Sequence, residues 1–410
     1  MDVKIAFRLD LDPWRPISLS STRLTIPMLS SKQRIRTLSV GSQSWDQFKD
    51  LISRWTGALA PLEELELETD DYGLTEAPRS PIFVGEALKR LKLEGFVIPG
   101  LYNIKAPNLT VLKLINTFQT SCSVGTIFDF FDATPSLEDI YIYSNTTYDF
   151  TPPDREVTLS HLRRISLDTE HSHLVASRLI CPSVNTIELV NPLQEDFLVG
   201  LFPQELLSLL EKYSVEAFDE VFMRVSDWDE DQMWSVQFCA PTGTSFCSTH
   251  AAEDLWPFPV LFDQAVHTLL SLPLGQVVAL TICTQDSPNS LGNPNHVRAK
   301  LVEVLEKCSN LRKVVLGNYC AGCFPDLVRD TLPSIQTLVI GHPRGVSWEE
   351  LVEYVTGVAR TLHSRGRPLK RVEIFTAKTH PKMEQLEDLV QEVVYQEPAS
   401  WMCGYGGPRG

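Results

Sequence analysis

Side chains capable of covalent or metal chemistry are present in this sequence, but their spacing does not assemble them. His171 and His173 flank Ser172, and Cys320 and Cys323 form a Cys-x-x-Cys. A closed zinc site takes two such pairs, and no second cysteine or histidine pair stands at zinc-site spacing from either. Gly243-Thr244-Ser245-Phe246-Cys247 sets a serine near a glycine. It lacks the second glycine of the sharp strand-to-helix turn that exposes a nucleophile. Residues 404–410 are glycine-rich, yet they follow no strand pattern and open no helix, so they do not read as a phosphate cradle. No catalytic residue, cofactor or metal is expected. The interval 191–276 is the one place where an enzyme site assembled from distant residues would be sought.

What the sequence does carry is a periodic apolar frame. The pattern Leu-x-x-Leu-x-Leu, with Ile or Val accepted for Leu, begins at Ile35-Arg36-Thr37-Leu38-Ser39-Val40 and returns at Leu62, Leu88, Leu109, Leu137, Leu162 and Val184. These starts lie 27, 26, 21, 28, 25 and 22 residues apart, within the span of about 20 to 29 residues typical of a leucine-rich repeat. After a gap the series resumes at Val277, Leu311, Ile335 and Leu369, with spacings of 34, 24 and 34 that imply longer insertions. In an extended strand alternate side chains share a face, so the fourth and sixth positions turn inward and the third, fifth and seventh outward. One repeat cannot cover its own apolar face, which makes stacking obligatory.

The outward positions are where recognition chemistry would sit. The second repeat offers Glu64, Glu66 and Glu68, the third Arg90, Lys92 and Glu94, and the fourth Val111, Lys113 and Ile115. The fifth offers Tyr141 and Tyr143, and the sixth Arg164 and Asp168. Opposite charges on neighbouring strands also serve as cross-strand pairs, so Glu64 and Glu66 against Arg90 and Lys92 have a structural explanation ready. Apolar and aromatic groups on a solvated face call for a cover, either a partner or a loop such as 148–155. Tyr141, Tyr143, Val111, Lys113 and Ile115 are therefore the expected centre of a partner-binding surface, with Arg90, Lys92 and Arg164 around it.

Between strands, Trp45, Phe48, Leu51, Ile52 and Trp55 recur at helical spacing, as do Val297, Leu301, Val304, Leu305 and Cys308. Ser347-Trp348-Glu349-Glu350 reads as a capping box before Leu351, Tyr354, Val355, Val358 and Leu362. From 191 to 276 the repeat lapses. Pro203 suits the first position of a helix bearing Leu206, Leu207, Leu210 and Tyr213. Strands are expected at Val221–Val225 and Trp234–Phe238, and Phe218 to Met223 reads as a degenerate repeat. The expected organisation is an eroded repeat or cap over 1–34, where Ile5, Phe7, Leu9 and Leu11 alternate. Repeats over 35–190, an insertion over 191–276, repeats over 277–380, and a C-terminal helix with a glycine-rich tail over 381–410 complete it.

Eleven such units, with Ser136-Leu137-Glu138-Asp139-Ile140 and His161-Leu162-Arg163-Arg164-Ile165 openings after links such as Ala133-Thr134-Pro135, resemble the repeat region of fungal F-box-like leucine-rich-repeat proteins. The resemblance implies an α/β solenoid with a curved parallel sheet on the concave side and helices and loops on the convex side. It also implies capture of a protein substrate by the repeats and docking of an N-terminal F-box on the adaptor of a cullin-RING ubiquitin ligase. No stretch before Ile35 resembles that F-box.

Composition narrows the partners. The net charge of −16 opposes tight binding to nucleic acid or to an anionic membrane surface. No apolar run approaches a membrane span, and Met1 to Asp12 lacks the apolar core of a signal peptide. Nine scattered cysteines form no framework, which points to a reducing intracellular compartment, cytoplasm or nucleus. The Asn108-Leu109-Thr110 and Asn145-Thr146-Thr147 sequons are then chance matches. The expectation is a non-catalytic, monomeric protein-recognition module.

Overall fold

In the computed structural model the repeat begins with a tight turn. Leu88, Leu109, Leu137, Leu162 and Val184 each donate their N–H to the carbonyl three residues earlier, at 3.0 to 3.2 Å, from Gly85, Ala106, Thr134, Leu159 and Cys181 respectively. Pro107, Pro135 and Pro182 occupy the second place of these turns, where a ring fixed near φ −65° is pre-set for the geometry. The described residues are 3–7, 35–41, 61–68, 83–95, 104–115, 125–143, 155–169, 172–193, 203–228, 231–252, 258–285, 294–318, 335–341, 348–375 and 384–396. Over them the chain is a mixed α/β protein with a large, mostly parallel β-sheet, few helices and no closed barrel. It divides into two compact units, Met1–Val190 and Asn191–Gly410.

In the first unit the strands are β1 Val3–Phe7, β2 Ile35–Gly41, β3 Glu64–Glu68, β4 Phe83–Val84, β5 Arg90–Glu94, β6 Ile104–Lys105, β7 Val111–Ile115, β8 Asp139–Tyr143, β9 Val157–Thr158, β10 Arg164–Asp168, β11 Leu179–Ile180 and β12 Thr186–Leu193. Helices α1 Gly125–Asp132 and α2 Ser172–Arg178 join them. The main sheet runs β1-β2-β3-β5-β7-β8-β10-β12, every pair parallel. The short strands pair separately, β4 with β6 and β9 with β11. The fourth and sixth repeat positions are buried as their alternation predicts: Leu65, Leu91, Leu112, Ile140, Ile165 and Ile187, with Leu67, Leu93, Leu114, Ile142, Leu167 and Leu189, are all 2% exposed or less. Each such side chain contributes about 1.5–3 kcal/mol relative to exposure.

A second regularity is carried by the backbone alone. The carbonyl at the second repeat position accepts two N–H groups from the following repeat. Glu63 receives Lys89 and Arg90 at 2.8 and 3.0 Å, Lys89 receives Thr110 and Val111 at 2.8 and 2.9 Å, and Thr110, Glu138 and Arg163 repeat the arrangement.

The second unit holds α3 Pro203–Lys212, β13 Glu220–Trp228, β14 Asp231–Cys239, β15 Ser245–Ala252, α4 Phe258–Leu270, a 3-10 turn Leu274–Gln276, β16 Ala279–Gln285, α5 Pro294–Lys307, β17 Lys313–Asn318, β18 Thr337–Gly341, α6 Trp348–Ser364, β19 Arg371–Phe375, α7 Glu384–Glu387 and β20 Glu392–Gln396. Strands β13 to β15 form an antiparallel meander, and β13-β16-β17-β18-β19-β20 are parallel. The Phe218–Met223 segment has repeat geometry: Phe218, Val221 and Met223 are buried, and the Asp219 carbonyl accepts Val278 and Ala279 N–H at 2.7 and 3.1 Å.

Other expectations are refined. Both strands expected at 221–225 and 234–238 are present but longer, and β15 joins them unforeseen. On α3, Leu206, Leu209 and Leu210 are buried, as is Tyr213 just after its end, while Leu207 is 36% exposed. Residues 206, 209, 210 and 213 fall in one stripe, and 207 lies about 100° around from 206. The stripe Val297, Leu301, Val304, Leu305 and Cys308 is buried as expected, as are Leu351, Val355, Val358 and Leu362, with Tyr354 half-buried. Within 381–410 the expected helix is the four residues of α7, followed by the extra strand β20. The alternation at Ile5 and Phe7 falls in β1. Leu9, Leu11, the 45–55 helix, Ser347, His171, Cys320, Cys323, the 148–154 loop and the glycine-rich tail lie outside the described residues.

Strands β16 to β18 also bury residues on their outward face, although Thr281 is half-buried and Lys313 exposed. Of the outward residues, Cys283, Val315 and Val339 are 8%, 5% and 2% exposed. Cys283 and Gly317 are register partners, and a Cβ at Gly317 would stand 2.5 Å from the Cys283 sulfur and 3.2 Å from its Cβ. Gly317→Ala is therefore expected to destabilise the chain by about 1–3 kcal/mol through overpacking. In a urea-denaturation cycle Gly317→Ala with Cys283→Ala should lose clearly less than the sum of the two single changes. Strict additivity would refute the close approach.

Candidate functional site

Parallel pairing aligns the outward positions of the first unit into rows. Register sets Lys113 beside Tyr141, Ile115 beside Tyr143 and Val111 beside Asp139 on strands β7 and β8. Tyr141 then meets Ser166, and Tyr143 meets Asp168, on β10, while Ser166 meets Glu188 on β12. Val111, Ile115, Tyr141 and Tyr143 are half-buried and Lys113 is exposed. The fold thus gathers the five residues expected at the centre of the surface onto two adjacent strands.

The charged flank is different. Arg90 lies 3.2 Å from Glu64, and the Lys92 ammonium 2.7 Å from Glu66 and 3.0 Å from Glu94. Burial works against the Lys92 charge, but hydrogen bonds to Glu66 and Glu94 outweigh it and hold its pKa above the ordinary lysine value. Such partly exposed pairs add little to stability, yet they occupy both cations, so Arg90 and Lys92 serve cross-strand pairing within the sheet. Arg164 is exposed at the third position of its repeat and forms no ion pair among the described residues.

Two acidic residues complete the surface. Asp168 is pushed up to about 6 by burial first and by the charge of Glu188 second. Tyr141 is raised by burial and then by Asp168, Glu188 and Tyr143. Ser166, only 7% exposed although it faces outward, donates its hydroxyl to Glu188 Oε2 at 3.3 Å. Asp168 was visible in the sequence as an outward position. Glu188 has the same signal, the fifth position after Val184, but nothing in one strand's sequence shows that the two carboxyls are neighbours.

Among the described residues the other reactive groups are turned to structural roles. Gly243 takes φ 88° in the hairpin turn between β14 and β15, closed by Gly243 N–H to Ala240 at 2.9 Å, so Ser245 starts a strand. Ser248 Oγ lies 3.0 Å from His250 Nε2, but both are 1% exposed, and the His250 ring stacks on the fully buried Trp234 at 4.0 Å. Burial raises the thiols of Cys283 to about 11 and Cys308 to about 12, keeping them protonated at neutral pH. Among the described residues no group of three or more His, Cys, Asp or Glu is placed to hold a metal, and no helix is long and apolar enough to cross a membrane.

No protein-family model matches this chain, and no curated protein matches it.

Proposed function

We propose that this chain is a non-catalytic recognition module. It is a leucine-rich-repeat solenoid whose strands line a concave surface that takes a protein partner, in the manner of the substrate-binding part of an F-box ubiquitin-ligase receptor. The supporting observation is the patch of Tyr141, Tyr143, Val111 and Ile115 on an outward sheet face whose neighbouring charges, Glu64, Glu66, Arg90 and Lys92, are already paired. Tyrosine supplies a large contact area at low entropic cost and is enriched at binding hot spots. Any ubiquitin transfer would be performed by partner subunits, and the chain itself needs no cofactor.

Tyr141→Ala with Tyr143→Ala is expected to weaken partner capture by tenfold or more without unfolding the chain, since loss of hot-spot residues costs about 2 kcal/mol or more. Affinity purification from the native cells, with circular dichroism as the folding control, reads both. Unchanged capture by the folded double variant refutes the placement of the interface. Recovery of the cullin adaptor with the wild-type chain supports the ligase reading. Recovery of other partners alone leaves an interaction scaffold unconnected with ubiquitin ligation.

A further inference from the structure

The outward face of the first unit has an uneven charge balance. On β3 and β5 each basic group has its acid: Arg90 has Glu64, and Lys92 has Glu66 and Glu94. On β10 and β12 the acids are unpaired: Arg164, at the other end of β10, forms no ion pair with either among the described residues. Among the described residues Asp168 and Glu188 form no ion pair, and the one hydrogen bond to either carboxylate comes from the neutral hydroxyl of Ser166. They stand on adjacent strands and on one face, two residues apart along the register in which Ser166 meets Glu188 and Asp168 meets Val190. Diagonal neighbours of this kind lie about 7–8 Å apart, within reach of long side chains, and the Glu188 charge acts on Asp168, so one planar cation can bridge both. Tyr143 is the register partner of Asp168 and Tyr141 that of Ser166, which places two aromatic rings beside the two carboxylates.

We infer that this surface takes a basic segment of a protein partner, with an arginine seated between Asp168 and Glu188 and its planar face against Tyr141 or Tyr143. Like charges held half-buried without a counter-ion disfavour the folded state, and a cation from outside relieves that cost on binding. Guanidinium fits better than ammonium, because it offers several donors in a fixed plane to two carboxylates and stacks on an aromatic ring. Lys113, exposed beside Tyr141, sets the direction: a second cation is disfavoured over β7, so the basic group lies towards β10 and β12 and the segment is neutral or acidic over β7. The inference rests on the recognition reading above and specifies the chemistry of its partner.

The test uses the full chain and a fluorescein-labelled tetra-arginine peptide, followed by fluorescence anisotropy at about 150 mM salt, where long-range attraction to a chain of net charge −16 is screened within about 8 Å. Asp168→Asn with Glu188→Gln is expected to weaken binding tenfold or more. Glu303→Gln with Glu306→Gln, an equal loss of charge on exposed positions of α5, should leave binding within twofold, and tetra-glutamate should not bind. Equal weakening by both double variants, no weakening by either, or no binding of tetra-arginine to the wild type overturns the inference. The two readings fail separately. Loss of native partner capture in the Tyr141→Ala and Tyr143→Ala chain, with full capture by the carboxylate variant, keeps recognition and removes the basic partner.

Discussion

Phe218→Ala is expected to lower stability by about 3–5 kcal/mol, the range for truncating a fully buried aromatic side chain. Phe218 is 0% exposed, and its ring meets that of Phe238 at 4.9 Å and 57°, a tilted pairing that adds to simple burial. Its place in the chain makes the change informative. It stands where Leu62, Leu88 and Leu109 stand in their own repeats, one residue before the carbonyl that binds two N–H groups of the next strand. If that equivalence is what matters, Phe218→Leu should cost under about 1.5 kcal/mol, because the position elsewhere accepts leucine and the neighbours need only repack. Urea denaturation measures both. A loss below 1 kcal/mol for alanine, or an equal loss for leucine and alanine, would remove Phe218 from the repeat frame.

Asp168→Asn is expected to stabilise the chain at pH 7 by roughly 3 kcal/mol, the equivalent of its displacement from 3.8 to about 6. The sign follows from proton linkage. Between about pH 4 and 6 the folded state holds the Asp168 proton more tightly than the unfolded chain does, so the wild type loses stability as pH rises through this window. Below pH 4 the carboxyl is protonated in both states and the penalty vanishes. Asparagine removes the titration, so the two stability curves should converge near pH 4 and separate towards pH 7. Parallel curves across that window would show that Asp168 carries no strain from burial or from Glu188.

The repeat frame was legible because the period-two alternation of a strand is written directly into the sequence. Leu65 and Leu67, or Ile140 and Ile142, reveal their own burial by flanking Glu66 and Tyr141. Candidate surface residues followed by subtraction, which placed Lys113, Ile115, Tyr141 and Tyr143 on one face before any register was known. Pairing is what a single strand cannot announce. That Asp168 lies near Glu188, 20 positions further on, depends on how β10 aligns with β12. The fates of Arg90 and Lys92 depend in the same way on β3. Strands β15 and β20 were missed for a different reason. Ser245–Ala252 carries Ser248 and His250 on its buried face, and Glu392–Gln396 has Val393, Val394 and Tyr395 in succession, so neither alternates between apolar and polar. The two-sided burial of Val315 and Val339 was likewise hidden, since Val-Val and Leu-Val-Ile runs suit a strand buried on both faces as well as a helix segment.

The doubly accepting carbonyl has a consequence for how such a chain ages. The residues that supply it are Glu63, Lys89, Thr110, Glu138, Arg163, Asp219, Val278, Arg312 and Gln336, which span acid, base, hydroxyl, amide and hydrocarbon. The joint between neighbouring repeats is therefore indifferent to spelling, and proline is the one residue that its donor positions refuse. Over long lineages these sites are free to turn over, and whole units can be copied or deleted because each copy brings its own fastening. Descendants of one ancestor can come to share almost no letters while keeping the same ladder of backbone bonds.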